Sequence, residues 1–205
     1  MHENSRTRSI VLCGLSIALL AVGAFVTVPV PLGLTPFTLQ TLMLFIILLT
    51  LRPKDAVIAV AGYLMLGAIG MPIFAGMTGG FARLVGPTGG FLVGYLLAAL
   101  AVGGLRLLME RGERLPASLK GVAALDAGLL LLACAIYFSL GTVWYSINMG
   151  IGMQAALAAC VLPFIITEPI KLFAAVACVQ PVRAALGLNA RQPKRQKGSP
   201  AIPPE

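Results

Sequence analysis

From Ser9 to Leu51 the chain carries no charged side chain. About 20 apolar residues at 1.5 Å each cross the roughly 30 Å hydrocarbon core of a bilayer, so a run of this kind reads as membrane-spanning. From Ala56 to Leu105 the pattern repeats, with Arg83 as the single exception. Charged residues make up 11% of the 205, against roughly 25% in soluble proteins, while 59% are hydrophobic. The sequence therefore predicts an all-α integral membrane protein. Its first apolar run is not a cleaved signal peptide, because further spans follow and no polar mature region begins behind a small-residue cleavage site.

Six spans fit the charge pattern, at about 9–28, 37–51, 55–71, 87–106, 121–146 and 165–186. Thirteen of the 15 Lys and Arg residues fall in the N-terminal tail, two short connections and the C-terminal end. By the positive-inside rule those segments are cytoplasmic, which predicts six transmembrane helices with both termini inside. Residues 1–188 read as a single transmembrane substrate-binding domain. Residues 189–205, Pro-rich and basic, read as a disordered cytoplasmic tail. The net charge of +8 is thereby assigned to orientation and lipid headgroups, with no nucleic-acid partner.

The connections on the other side carry helix breakers: Pro29, Pro31, Gly33 and Pro36, then seven glycines from Gly70 to Gly90, then Asn148 to Gly152. Irregular backbone cannot face lipid with unpaired N–H and C=O groups, so these connections should form a plug or re-entrant lid over a cavity. Thr167-Glu168-Pro169 reads as a fresh helix start, a capping side chain followed by proline in the first turn.

Few residues could carry chemistry. Arg83 lies between two glycine pairs, Gly79-Gly80 and Gly89-Gly90. One reading faces it into a cavity, beside the N-terminus of the fourth span, as an anion site; the other has it snorkel to headgroups. Glu168 and Lys171, spaced i, i+3, share a helix face. They either neutralise each other or hold a polar ligand, with Gln40 supplying an amide that both donates and accepts. Tyr137 and Trp144, seven apart, wall an apolar slot or anchor at the interface. Gly14, Ala18 and Ala21 are small residues that let another helix approach closely. The four cysteines sit in apolar runs without CxxC spacing, and His2 lies in the tail. No nucleophile–base pair, metal-ligand set or phosphate loop is present at workable spacing, so neither catalysis nor a cofactor is expected.

Together, Thr35-Pro36-Phe37-Thr38-Leu39-Gln40-Thr41-Leu42, Gly70-Met71-Pro72-Ile73-Phe74-Ala75-Gly76, Gly86-Pro87-Thr88-Gly89-Gly90-Phe91, Tyr137 to Trp144 and Pro163-Phe164 with Glu168 and Lys171 resemble the BioY family. These are the biotin-binding S components of energy-coupling factor (ECF) vitamin transporters. The resemblance runs from about Arg8 to Leu186. It implies a high-affinity biotin-binding subunit that captures its ligand at the outer face, docks on a membrane coupling subunit and is served by two ATPases. It also implies a substrate site drawn from Thr38, Gln40, Gly76, Gly79, Gly80, Arg83, Gly89, Tyr137, Trp144, Glu168 and Lys171, with docking through Gly14, Ala18 and Ala21. Arg83 then suits the ligand carboxylate and Glu168 the ureido N–H groups. The family usually has Asp where this chain has Glu168, and commonly Gly where it has Thr167. An S component for another vitamin and an intramembrane lipid-modifying enzyme are the alternatives.

Overall fold

The computed structural model describes residues 3–28, 37–112 and 118–185. The expected breakers from Pro29 to Pro36 and the expected tail, 189–205, lie outside the described residues. In chain order come α1 (Glu3–Phe25), the short antiparallel strands β1 (Thr27–Val28) and β2 (Phe37–Thr38), then α2 (Gln40–Thr50), α3 (Pro53–Ala68) and α4 (Phe81–Val85). They are followed by α5 (Gly89–Arg111), α6 (Leu119–Met149), α7 (Met153–Cys160), a 3-10 turn at Leu162–Phe164, and α8 (Thr167–Ala185).

The all-α architecture is as expected, but six spans are not present. Among the described residues three helices are long and apolar enough to cross a membrane: α1, α5 and α6. A fourth exists only if Met153–Phe164 and Thr167–Val182 count as one span broken by a 44° bend. The 11 residues of α2 cover only about 16 Å and the 16 of α3 about 24 Å, both short of the roughly 30 Å hydrocarbon core. Counting apolar residues could not reveal that 37–39 are strand and bend, while the break between Thr50 and Pro53 falls where the expected second and third spans part. Six spans with both ends inside therefore do not hold: three spans put the ends on opposite sides and four put them on one side.

Two of the long helices pack through glycine. A Cβ on Gly94 of α5 would stand 2.8 Å from the Tyr137 backbone of α6, and one on Gly90 would collide with Trp144. Gly141 of α6 in turn receives the Phe91 ring. In lipid, where burial against another helix gains no hydrophobic free energy over burial against acyl chains, such close approach supplies the dispersion contacts. Elsewhere polar groups close the helix ends. Ser118 accepts the Gly121 N–H at the start of α6, and Gly150, at φ 64°, ends it in the left-handed turn that only glycine adopts cheaply. Buried Arg106 donates to the Leu48 and Leu51 carbonyls at 2.5 and 3.0 Å, satisfying acceptors that α2 leaves unpaired at its end.

The molecule is apolar outside as well as inside. Phe45, Tyr63, Leu130 and Val179 are fully buried, yet Ile10, Leu15, Ile69, Leu131 and Phe173 are each more than half exposed. So much exposed hydrocarbon is out of place on a soluble monomer and is the stable arrangement in a bilayer.

Candidate ligand-binding site

A cavity of about 130 Å³ opens where the starts of α2, α5 and α8 meet α4, α6 and the connection between α3 and α4. One half is polar: Thr38, Gln40, Thr41, Glu168 and Lys171. The other is aromatic: Phe74, Phe91, Tyr95, Tyr137, Phe138 and Phe164. Tyr95 meets Tyr137 edge-on at 5.4 Å and Phe91 meets Phe138 at 6.2 Å, so the rings brace one another into a fixed wall.

Glu168 is the centre of the polar half. It sits in the first turn of α8, where the helix dipole favours a carboxylate. Its Oε1 accepts from Thr41 Oγ1 at 2.9 Å and from Lys171 Nζ at 2.6 Å; its Oε2 accepts from the Tyr137 hydroxyl at 2.9 Å. Lys171 also donates to Thr41 at 2.9 Å and lies 4.3 Å over the Phe37 ring. Both charged side chains are under a tenth exposed. The pair is thus a mutual ion pair, and it is also part of the cavity lining.

A carboxylate has about four lone-pair positions and an ammonium three protons. Three of the four positions on Glu168 are filled, leaving one on Oε2, and two of the three protons on Lys171 are used. Gln40 gives an amide proton to the Tyr63 hydroxyl at 3.1 Å and has no other side-chain partner among the described residues. Its second amide end is left for the cavity. In reserve in this half of the cavity are acceptors on Glu168 and Gln40 and donors on Lys171 and the second Nε2 proton of Gln40, besides the Thr38 hydroxyl, which has no side-chain partner among the described residues.

Of the expected site residues, Thr38, Gln40, Arg83, Tyr137, Glu168 and Lys171 line this one cavity. Arg83 stands at its mouth on α4, exposed and with no side-chain partner among the described residues. The remaining five do not line it. Gly79 lets the chain lie against the Met71 carbonyl, Gly89 lets α5 start against Leu84, and Gly76 and Gly80 take positive φ. Trp144 donates to the Gly86 carbonyl at 2.9 Å and pins the turn before α5. Among the docking residues, Gly14 and Ala18 are exposed on α1, and nothing lies within 4 Å of a Cβ built at Gly14. Ala21 is buried in the core instead.

Several lining residues went unread in the sequence. Thr41 adjoins Gln40 in the first turn of α2, and Tyr95 follows Phe91 by one helical turn, so face arithmetic could have found both. Phe138 and Phe164 carried no signal that separates lining from core.

Fold and site together define a multi-pass membrane protein with a cavity that is polar on one side and aromatic on the other. The BioY family pattern matches residues 1–188. A biotin transporter BioY of Thermotoga maritima is 37% identical over 170 residues, 82% of this chain and 91% of that protein. BioY2, a biotin transporter of Lactococcus lactis, is 32% identical over 170 residues, 82% and 86% of the two chains. A probable biotin transporter BioY of Pyrococcus horikoshii is 31% identical over 172 residues, 83% and 93%. The crystal structure of the S-component for biotin from an ECF-type ABC transporter shares the fold, with a TM-score of 0.77 at 24% identity, covering 90% of this chain and 95% of that one. The chain belongs to the BioY family. That family is one of transport proteins, not of enzymes.

Proposed function

We propose that this chain is the biotin-binding S-component of an ECF-type vitamin transporter, capturing biotin from outside the cell for delivery to the cytoplasm. Beside family membership, the observation that carries this reading is the mixed hydrogen-bonding capacity left open in the polar half. A ureido ring offers two N–H donors and one carbonyl acceptor; acceptors on Glu168 and Gln40 and a donor on Lys171 are in reserve to meet them. The aromatic wall suits the thioether ring and chain, and Arg83 at the mouth suits the carboxylate.

S-components of ECF transporters work with a membrane coupling subunit, the T component, and ATPase subunits. Here the coupling subunit would approach along the exposed Gly14 and Ala18 face of α1, where no side chain stands in the way. Equilibrium binding of radiolabelled biotin to the purified protein in lipid nanodiscs tests the reading. Saturable binding, competed by unlabelled biotin and not by thiamine or riboflavin, supports it; no saturable binding refutes it.

A further inference from the structure

Tyr63 is fully buried on α3 and does not line the cavity, yet it joins two parts of the structure that do. Its hydroxyl lies 2.9 Å from the carbonyl oxygen of Ile73 and 3.1 Å from Nε2 of Gln40. Ile73 belongs to the connection between α3 and α4, whose next residues Phe74 and Ala75 form part of the cavity wall. The Tyr63 ring also braces Phe74 edge-on, with centroids 5.5 Å apart.

A carbonyl oxygen can only accept, and a phenol has one proton. That proton is committed to Ile73, since turning it elsewhere would strand a buried carbonyl. Toward Gln40 the phenol oxygen can therefore only accept. This selects the NH₂ end of the amide for Tyr63 and turns the oxygen, Oε1, onto the cavity. We infer that Tyr63 is a positioning residue that fixes Gln40 as a hydrogen-bond acceptor, making the site selective for a ligand that presents an N–H at that point. With phenylalanine at 63 the amide could present either end, and the discrimination would fade. The inference rests on the biotin reading, which supplies a ureido N–H for Gln40 and another for Glu168.

The experiment measures dissociation constants for biotin and for biotin methylated at one or the other ureido nitrogen, using the full chain in nanodiscs. The wild type should reject both methylated ligands. Tyr63→Phe should narrow the preference over one methylated ligand by about two- to tenfold, the range for one neutral hydrogen bond, and leave the other preference unchanged. Gln40→Leu, which removes the acceptor outright, should narrow the same preference and serves as the test if Tyr63→Phe fails to fold. An equal loss of affinity for all three ligands, or no change, would show that Tyr63 only supports the fold and would overturn the inference. A wild type that binds none of the three overturns the biotin reading, and this inference with it. A wild type that binds biotin but does not discriminate overturns the inference alone.

Discussion

Replacing Lys171 with methionine removes the cation from beneath a buried carboxylate and keeps most of the side-chain volume. Lys171 Nζ is 2.6 Å from Glu168 Oε1, and the two side chains are 5% and 8% exposed. Burying two charges is costly, and their attraction offsets that cost only while both are present. Removing one partner of such a pair destabilises by about 3–5 kcal/mol, a large share of the roughly 5–15 kcal/mol that holds a folded domain together. Adding Glu168→Gln removes the stranded charge. The double variant then lacks one acceptor for Tyr137 or Thr41, a loss of roughly 1–3 kcal/mol. It should therefore be more stable than Lys171→Met alone, although it carries one substitution more. Thermal unfolding in nanodiscs, followed by the folded fraction on size-exclusion chromatography, ranks wild type first, the double variant second and Lys171→Met last. Neither variant should bind biotin with wild-type affinity, since each lacks a reserve donor or acceptor. If the double variant melts at or below the single one, the two charges are not a coupled buried pair, and the account of the polar half of the site fails.

Arg83 is exposed, so its contact with a ligand carboxylate is screened by water, and Arg83→Ala should raise the dissociation constant for biotin by no more than about fivefold. Biotin amide, lacking the charge, should bind both proteins alike; measured coupling between ligand charge and Arg83 below twofold would remove Arg83 from the site. Gly14→Leu with Ala18→Leu fills the open face of α1 and should abolish co-purification with the coupling subunit while leaving biotin binding unchanged. Retained co-purification would place the docking surface elsewhere.

The helices were legible in the sequence because long uncharged runs have one stable outcome in lipid, but their lengths were not. The breaks themselves are signalled, by Arg52 and Lys54 before α3 and by Thr167-Glu168-Pro169 before α8, but apolar composition does not fix how long each helix runs, so six spans are expected where three or four stand. Charges inside apolar sequence were the dependable signal for the site. Arg83, Glu168 and Lys171 all line the cavity: the buried pair because ionised groups taken out of water must face a partner or a void, Arg83 as the exposed cation at the mouth. Glycine misled for a physical reason. The same absent Cβ that admits a ligand also admits a helix, and at Gly89 and Gly90 the neighbour is Leu84 or Trp144. Tyr63 gave no warning, since its role depends on which carbonyl the fold brings to its hydroxyl.

The carboxylate itself can be shortened by one methylene, as Glu168→Asp. Glu168 holds partners from three helices: Thr41 on α2, Tyr137 on α6 and Lys171 on α8. Aspartate keeps the charge but draws it back by one carbon–carbon bond, about 1.5 Å. Three bonds of 2.6 to 2.9 Å cannot all survive that shift unless the start of α8 moves toward α2 and α6. Thr167 resists such a move, because its branched side chain stiffens the first turn of α8. Glu168→Asp alone should therefore fold yet lose about one charge-assisted hydrogen bond to the ligand, weakening biotin binding roughly tenfold or more. Adding Thr167→Gly frees the first turn of α8 and should recover part of that affinity, although glycine there would cost affinity in the Glu168 background. Dissociation constants for the four combinations give the coupling directly. Independent effects of the two substitutions would mean that residue 167 does not set the reach of residue 168, and that the longer side chain is accommodated by α2 or α6 instead.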